Sequence, residues 1–481
     1  MSGAQNFRCR YVSQSVSDRI CPSPTGSPSP DRRSACPGLF RMVPAQDGAI
    51  CRLKLALGRL SAEQAHAVAD AAATYANGVI EITNRSNLQI RGVRTANENA
   101  LIDALLAAGL GPLTEAGDDV RNVMVSPKAG LDPHQIINVR PLAEHVLTLL
   151  QTKPRYHVLS PKFSLLIDGG ESIAMVSHPH DVWLSALPET GAQKPHFAFG
   201  LSGTIPTGAD HLPALGAIDA EHASELITAV LDLFLEQSAR QPGISRMRHL
   251  LAQTDSAMFL SDLEKRIDFP IRPNNAVARW WRAKPASTGH IGISPQRSAD
   301  RISVGAMPAL GRLDTDMLHA MANLAAHANG GELRMTPWRS VILPDIATDR
   351  ASSIVRQLGQ LGLVTEAGNP LARMIACSGS SGCASAFTDT QADGKRLAAL
   401  LHGKARNLEA HLSGCAKSCA AAHVPDASLI AVAPDQYDLF LRAKDGPTRF
   451  GRLLAAGVTI VEAARLLNAL PDRSLWDSEI H

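Results

Sequence analysis

The feature that most constrains this chain is an internal repeat. The stretch Leu57 to Val93 (LGRLSAEQAHAVADAAATYANGVIEITNRSNLQIRGV) aligns without a gap on Leu310 to Ile346 (LGRLDTDMLHAMANLAAHANGGELRMTPWRSVILPDI). Leu-Gly-Arg-Leu, a His, several Ala, a Gly and a Thr recur in register. Each copy opens a helix on a capping residue: Ser61, with Gln64 three positions on, and Asp314. Ala65, Val68, Ala69 and Ala72 make one apolar face. Gly78 or Gly331 ends the helix, and two short strands follow around a turn. A helix plus a hairpin is half of an α+β sandwich, which two copies complete about a pseudo-twofold axis.

The rest of the 481 residues falls around these copies. Residues 1–35 are rich in Ser, Pro and Arg without apolar periodicity and read as a disordered extension. The expected order is then half-sandwich (46–115), α/β segment (116–275), half-sandwich (276–365) and α/β segment (366–481). Strand-like runs stand at Val120–Val125 and Phe163–Asp168. Hydrophobic residues make up 45%, enough for a core, while aromatics are 4%, so aliphatic side chains must fill it. A net charge of +2 gives no electrostatic case for a nucleic-acid partner. The most apolar run, around Ala229–Leu235, is broken by Asp232, so no membrane partner is expected. No apolar segment of a secretory signal follows the first charges, and a cytoplasmic protein with reduced thiols is the expectation.

Eight cysteines therefore need a reason other than disulfides. Cys9, Cys21, Cys36 and Cys51 are scattered, and Cys36 and Cys51 read as small hydrophobes. Cys377, Cys383, Cys415 and Cys419 are clustered: Cys-SGSSG-Cys, 31 residues, then Cys-AKS-Cys. The spacing of four predicts Cys415 and Cys419 on one helix face. Gly379 and Gly382 let the first loop fold tightly, with amides free to point at a negative centre. Structural zinc favours shorter gaps than the first one, and four thiolates on two short loops suit an iron–sulfur cube.

A second constellation is basic. In Thr83-Asn-Arg85-Ser-Asn87-Leu-Gln89-Ile-Arg91, alternation puts Leu88 and Ile90 inward and Gln89 and Arg91 on the opposite face. Arg85, Asn87, Gln89 and Arg91 would suit a ligand with several carboxylates, a solvated strand face being the alternative. Arg121 and Lys162, taken alone, read as surface charges. His178-Pro-His180-Asp181 contains metal-ligating types but reads as a polar loop. Neither a dinucleotide-binding G-x-G-x-x-G after a strand nor a P-loop is present, so electrons from NAD(P)H would arrive through another protein.

Together these residues resemble the sulfite and nitrite reductase superfamily. The resemblance implies two ferredoxin-like half-domains related by pseudo-twofold symmetry plus two α/β domains, one carrying a [4Fe–4S] cluster beside a siroheme. It makes Cys377, Cys383, Cys415 and Cys419 the cluster ligands, the last also bridging to the siroheme iron. Arg85, Arg121 and Lys162 match basic positions that bind the substrate anion and supply protons. Three departures stand out: Met124-Val-Ser-Pro replaces a cysteine-containing turn, Ser164 replaces a second lysine, and Leu-Ser-Pro precedes Lys162.

Arg32-Arg-Ser-Ala-Cys36-Pro-Gly-Leu, Val43-Pro-Ala-Gln-Asp-Gly, Cys51-Arg-Leu-Lys-Leu and Gly289-His-Ile-Gly are similar to the precorrin-3B synthase branch. That branch belongs to aerobic cobalamin biosynthesis. The resemblance implies a monooxygenase that takes precorrin-3A and O2, hydroxylates the methine carbon between rings A and D, and forms a γ-lactone. It implies a mononuclear non-haem iron in place of siroheme, with ligands unassigned (His157, His178, His180 and His196 qualify by type). A separate electron donor, an NAD(P)H-linked reductase or ferredoxin, is implied as partner. A siroheme-dependent nitrite or sulfite reductase is the alternative, and a zinc-bound or metal-free scaffold a third reading.

Overall fold

The computed structural model describes residues 36–188, 194–273, 277, 279–421, 424–443 and 448–471. The extension expected over 1–35, with Cys9 and Cys21, lies outside them.

The first repeat is built from β1 (Val43–Ala45), β2 (Gly48–Leu53), β3 (Arg59–Ser61), α1 (Ala62–Tyr75), β4 (Ile80–Ile82), β5 (Leu88–Val93) and α2 (Glu98–Ala107). The expected capping box closes α1: Ser61 Oγ accepts from the Gln64 amide and the Gln64 side chain accepts from the Ser61 amide. Ala65, Val68, Ala69 and Ala72 are fully buried, as the helical spacing requires.

A mixed sheet follows, from β6 (Val123–Met124), α3 (Arg140–Thr152), β7 (Leu165–Asp168), β8 (Val182–Ala186), β9 (His196–Leu201), β10 (Gly216–Asp219), α4 (Ala223–Ala239), α5 (Met247–Leu251), α6 (Ser256–Glu264) and β11 (Arg272–Pro273). β6, β7 and β8 run parallel, and β9, β10 and β11 extend the sheet antiparallel.

The second repeat comprises β12 (Gly292–Pro295), β13 (Arg301–Ala306), β14 (Arg312–Leu313), α7 (Thr315–Asn329), β15 (Glu332–Met335), β16 (Val341–Ala347) and α8 (Ala351–Gln360). Asp314 caps α7 by accepting from the Met317 amide. The helix stops on Gly330, left-handed at φ 76°, one residue earlier than the Gly331 expected. The chain ends in a sheet of β17 (Met374–Ala376), α9 (Thr390–Leu400), β18 (Ala410–Ser413), β19 (Ala427–Ala433), β20 (Gln436–Leu441) and β21 (Arg452–Val458), closed by α10 (Ile460–Asn468).

The two repeats do not stand side by side. They exchange strands. β3 of the first copy pairs with β15 of the second, and β14 of the second pairs with β4 of the first. The sheets read β1-β2-β5-β4-β14 and β12-β13-β16-β15-β3. One apolar core runs through both, from Leu53, Val68 and Ile90 to Leu318, Met321 and Leu343. Backbone torsions repeat too: φ is 55° at Leu57 and 56° at Leu310, and 57° at Ser86 and 63° at Arg339. α1 packs on α7, and His66 Nδ1 lies 2.7 Å from Nδ1 of its repeat partner His319. His319 Nε2 is 3.1 Å from Asp70 Oδ1.

Strand exchange couples the copies energetically. Leu313, 1% exposed, sits in β14 against the first sheet. The L313A variant is expected to lose about 2–5 kcal/mol. Hydrogen exchange should accelerate at Ile80–Ile82, in the other repeat; acceleration confined to the second repeat would refute the coupling.

Candidate active site

The first loop after β5's hairpin partner shows how the repeat builds the site. Thr83 accepts the Ser86 amide on its carbonyl at 3.1 Å and the Arg85 and Asn87 amides on Oγ1 at 3.3 and 3.1 Å. Thr336 makes the same turn: its carbonyl takes the Arg339 amide at 3.0 Å, and Oγ1 takes the Trp338 and Ser340 amides, each at 3.3 Å. The recurrent threonine is thus the clamp of a turn whose fourth residue is left-handed. One turn carries Arg85 and the other Arg339.

Three adjoining cavities meet around these turns. A small one is lined by Arg85, Arg121, Met124, Ser164 and His180. A second, of about 250 Å³, is lined by Arg52, Glu81, Arg91, Arg339, Cys377 and Cys419. A third, of about 350 Å³, shares Asn84, Arg339 and Ala420 with the second and is walled by Met175 and Trp338.

The four clustered cysteines come together beside the second cavity. None forms a disulfide. The Cys419 thiol is pushed up by burial and by the negative charge available to Cys415, Cys377 and Cys383. Cys377 Sγ accepts the Gly414 amide at 3.2 Å and lies 3.4 Å from Thr390 Oγ1. Two details of the expected geometry are corrected. Cys415 and Cys419 lie in consecutive turns at the end of β18, not on a helix, because Ser418 is left-handed at φ 53°. In the first loop, the amides of Ser380, Gly382 and Cys383 are satisfied by the carbonyls of Thr388 and Gly379, so the amide aimed at sulfur is that of Gly414.

Gly382 must be glycine for another reason: a Cβ there would meet Arg91 Nη2 at 2.5 Å. That arginine is not the open ligand group expected. It is 3% exposed, grips Asp47 through two bonds of 2.9 and 2.8 Å, and donates to the Gly382 carbonyl at 2.9 Å. Gln89 accepts twice from Arg52 and donates to Glu81. Asn87 Oδ1 accepts from the Leu55 amide. The strand face is an internal polar network that braces the first cysteine loop. Leu88 and Ile90 are fully buried on the other face.

Arg85 differs. Among the described residues its guanidinium has no ion pair or hydrogen bond, and burial, with Arg246 and Arg52 adding repulsion, lowers it to about 10. Arg121 lines the same cavity but is held by Asp118 Oδ1 at 3.0 Å and the Gly111 carbonyl at 3.3 Å. Lys162 is exposed on the loop before β7 and does not line the cavity. Of the histidines, His180 lines it fully buried, both ring nitrogens unpartnered, and burial and Arg85 hold it well below its ordinary range. His157 Nε2 bonds to the Gln151 carbonyl and His196 faces Asp219; His178 lines the third cavity. No three His, Cys, Asp or Glu side chains among the described residues converge on one metal ion. The mononuclear iron is thus given no ready-made ligand set. Cys51 is fully buried, and burial pushes its thiol up to about 12, as a small hydrophobe.

Two arginines were missed from sequence. Arg52 pairs across strands with Gln89 and has no carboxylate at ion-pair distance among the described residues, Glu81 acting on it only from further off. Arg339 donates to the carbonyls of Ala376 at 3.2 Å and Ala420 at 2.8 Å, the neighbours of Cys377 and Cys419. The repeat alignment puts Arg339 in the place of Ser86, a residue without charge, and so does not mark it.

A half-domain pair with exchanged strands, a flanking mixed sheet and a four-cysteine sheet define an iron–sulfur oxidoreductase class. Residues 43–108 and 294–361 match the Nitrite/Sulfite reductase ferredoxin-like half domain, and residues 116–271 match the Nitrite and sulphite reductase 4Fe-4S domain. The chain belongs to the sulfite and nitrite reductase superfamily. It is 28% identical to a chloroplastic ferredoxin–nitrite reductase of Zea mays, over 81% of this chain and 70% of that one. It is 27% identical to a precorrin-3B synthase of Sinorhizobium sp, over 92% and 90% respectively. The NirA protein of Mycobacterium tuberculosis shares the fold, with a TM-score of 0.71 at 21% identity over 87% of this chain and 79% of that one. No helix among the described residues is long and apolar enough to cross a membrane.

Arg91 and Arg85 should respond oppositely to loss of charge. R91A strands Asp47 and the Gly382 carbonyl and should cost about 3–5 kcal/mol of stability. R85M removes a half-buried cation without a partner and should leave the denaturation midpoint unchanged or higher. A midpoint for R85M as low as that of R91A would show that Arg85 is structural. A pH effect is expected from Lys54, which burial lowers to about 7 while it donates to the carbonyls of Asp118 and Asp119. Between pH 7 and 10 the unfolded chain holds this proton and the folded one does not, so stability should rise with pH by up to about 1.4 kcal/mol per unit. K54M should flatten that slope.

Proposed function

We propose that this protein binds a carboxylate-rich tetrapyrrole beside a [4Fe–4S] cluster, and that the tetrapyrrole is its substrate. The observation that carries the reading is a charge imbalance. Arg52, Arg85 and Arg339 are half-buried guanidiniums without a carboxylate at ion-pair distance among the described residues, Arg52 and Arg339 on the cavity lined by Cys377 and Cys419 and Arg85 on the small cavity around the first repeat turn. Leaving cations uncompensated inside a protein is costly, and anions that arrive later relieve the cost. Two anions fit: a thiolate-ligated cluster and a polycarboxylate.

Cys377, Cys383, Cys415 and Cys419 would hold the cluster. Their donor set suits it: four thiols without disulfides, one already accepting an amide, in surroundings biased to positive charge. When bound, the cluster supplies electrons singly. The reaction proposed is that of a precorrin-3B synthase, in which one oxygen atom of O2 enters precorrin-3A at the methine carbon between rings A and D. The other atom leaves as water, using two electrons from a separate donor, and a γ-lactone closes. Arg85 binds a substrate carboxylate, Arg121 keeps to Asp118, and the neutral His180 is placed to hold a proton at a ring nitrogen.

Reduction of a small anion is less well supported by the same residues. That chemistry calls for several cations on one point, whereas Arg121 is neutralised, Lys162 is exposed and does not line the cavity, and Ser164 stands where a second lysine is found in reductases. The nitrite reductases among the relatives nevertheless keep a siroheme enzyme as the second reading.

The absorption spectrum of anaerobically purified protein, with an acid–acetone extract, separates the two. A brown protein without extractable macrocycle that incorporates one atom of labelled O2 into precorrin-3A is expected. Extractable siroheme with nitrite or sulfite turnover would overturn the proposal. On the expected outcome, R85M should weaken precorrin-3A binding at least tenfold while leaving iron content unchanged.

A further inference from the structure

Arg339 belongs to the turn that the first repeat uses to aim Arg85, yet it faces the cysteines. The side chain lies between the two cysteine-bearing loops. One guanidinium nitrogen donates to the carbonyl of Ala376, immediately before Cys377. The other donates to the carbonyl of Ala420, immediately after Cys419. Both bonds go to neutral acceptors, and among the described residues no carboxylate comes within ion-pair distance, so the positive charge is left over. Gly311 makes room for the side chain, because a Cβ there would meet Arg339 Cβ at 2.7 Å. The backbone stays left-handed, a conformation that is unfavourable for arginine and persists where the surroundings hold it.

The nearest acidic influence is Glu81, on the same cavity wall, but Glu81 is engaged by Arg312 at 2.8 Å and by Arg91 at 3.5 Å. A charge that is tied to both loops, unpaired and half-buried interacts with any change of charge on the sulfurs between them.

We infer that Arg339 is a positioning residue that fixes the two cysteine loops relative to each other and raises the reduction potential of the group they hold. The inference rests on the reading that the four cysteines ligate a [4Fe–4S] cluster. A cation favours the more negative, reduced cluster, so its removal makes the cluster harder to reduce. Arg339 also lines the third cavity, of about 350 Å³, so the charge that tunes the cluster stands on the wall of a space beside it. The same tuning therefore acts between donor and substrate.

The test is a redox titration of the purified holoprotein, followed by the electron paramagnetic resonance of the reduced cluster, with iron and sulfide counted in each variant. R339Q should lower the midpoint by at least 59 mV, a tenfold change in a one-electron equilibrium. R339K keeps the charge and should stay close to the parent value. E81Q leaves Arg339 in place and removes a negative charge from the same cavity, so its midpoint should rise. An unchanged midpoint in R339Q, an equal shift in R339K, or a fall in E81Q would each overturn the inference. If R339Q cannot retain iron, the sign of the E81Q shift decides. Parent protein purified anaerobically without iron would overturn the cluster assignment itself, and the inference with it.

Discussion

The rest of the molecule depends on the exchange of short strands between the two repeats. A two- or three-residue strand contributes few hydrogen bonds, and β3 and β14 would not persist alone. They persist because each completes the edge of the other copy's sheet, while α1 and α7 share one core beneath both sheets. The exchange fixes the two Thr-clamped turns relative to each other. Those turns carry Arg85 and Arg339, so the spacing between the cavity lined by Arg85 and the cysteine loops is set by the core of the sandwich and not by surface loops. Precision at the site is inherited from the most strongly packed part of the chain.

Charge is distributed with the opposite logic. In the interior most cations are matched: Arg91 with Asp47, Arg121 with Asp118, Arg246 with Asp181, Arg282 with Asp168. These pairs brace loops against sheets. Arg52, Arg85 and Arg339, without such a pairing among the described residues, line the cavities around the repeat turns. Open cations gathered in one region favour anions there. Arg91 shows how close the two roles are. It lies on the same strand face as Gln89 and beside the same cavity, yet Asp47 and the Gly382 carbonyl claim it for support of the cysteine loop.

How much of this was legible in the sequence follows from the range of the interactions involved. The repeat, the helix caps at Ser61 and Asp314 and the buried stripe of α1 depend on neighbours a few positions apart, and they read directly. So does the four-cysteine spacing, since it is a local pattern in each pair. The strand exchange was not readable, because β3 and β14 are too short to show a period and their partners lie in the other repeat. The helix expected at Cys415–Cys419 failed for a local reason, the left-handed Ser418, which no propensity marks. Arg91 was misjudged because its partners, Asp47 and Gly382, are remote in sequence. Arg52 stands across from Gln89 in the register of β2 with β5, but that pairing is long-range, and Arg339 takes the place of Ser86, a residue without charge, so neither is marked by its neighbours in sequence.

The histidine pair between α1 and α7 carries a consequence for the symmetry of the sandwich. A residue close to a twofold axis meets its own copy, and two identical Nδ1 atoms at hydrogen-bonding distance cannot both donate. One proton must belong to one ring. Asp70, whose repeat partner is Asn323, distinguishes the rings: its carboxylate can only accept, and it lies 3.1 Å from His319 Nε2. A neutral His319 bonded to Asp70 carries its hydrogen on Nε2 and presents a lone pair at Nδ1, which makes His66 the donor across the axis. The direction of a single hydrogen bond thus labels the two halves, so the duplicated fold is handed at its centre by one tautomer as well as by its divergent surfaces.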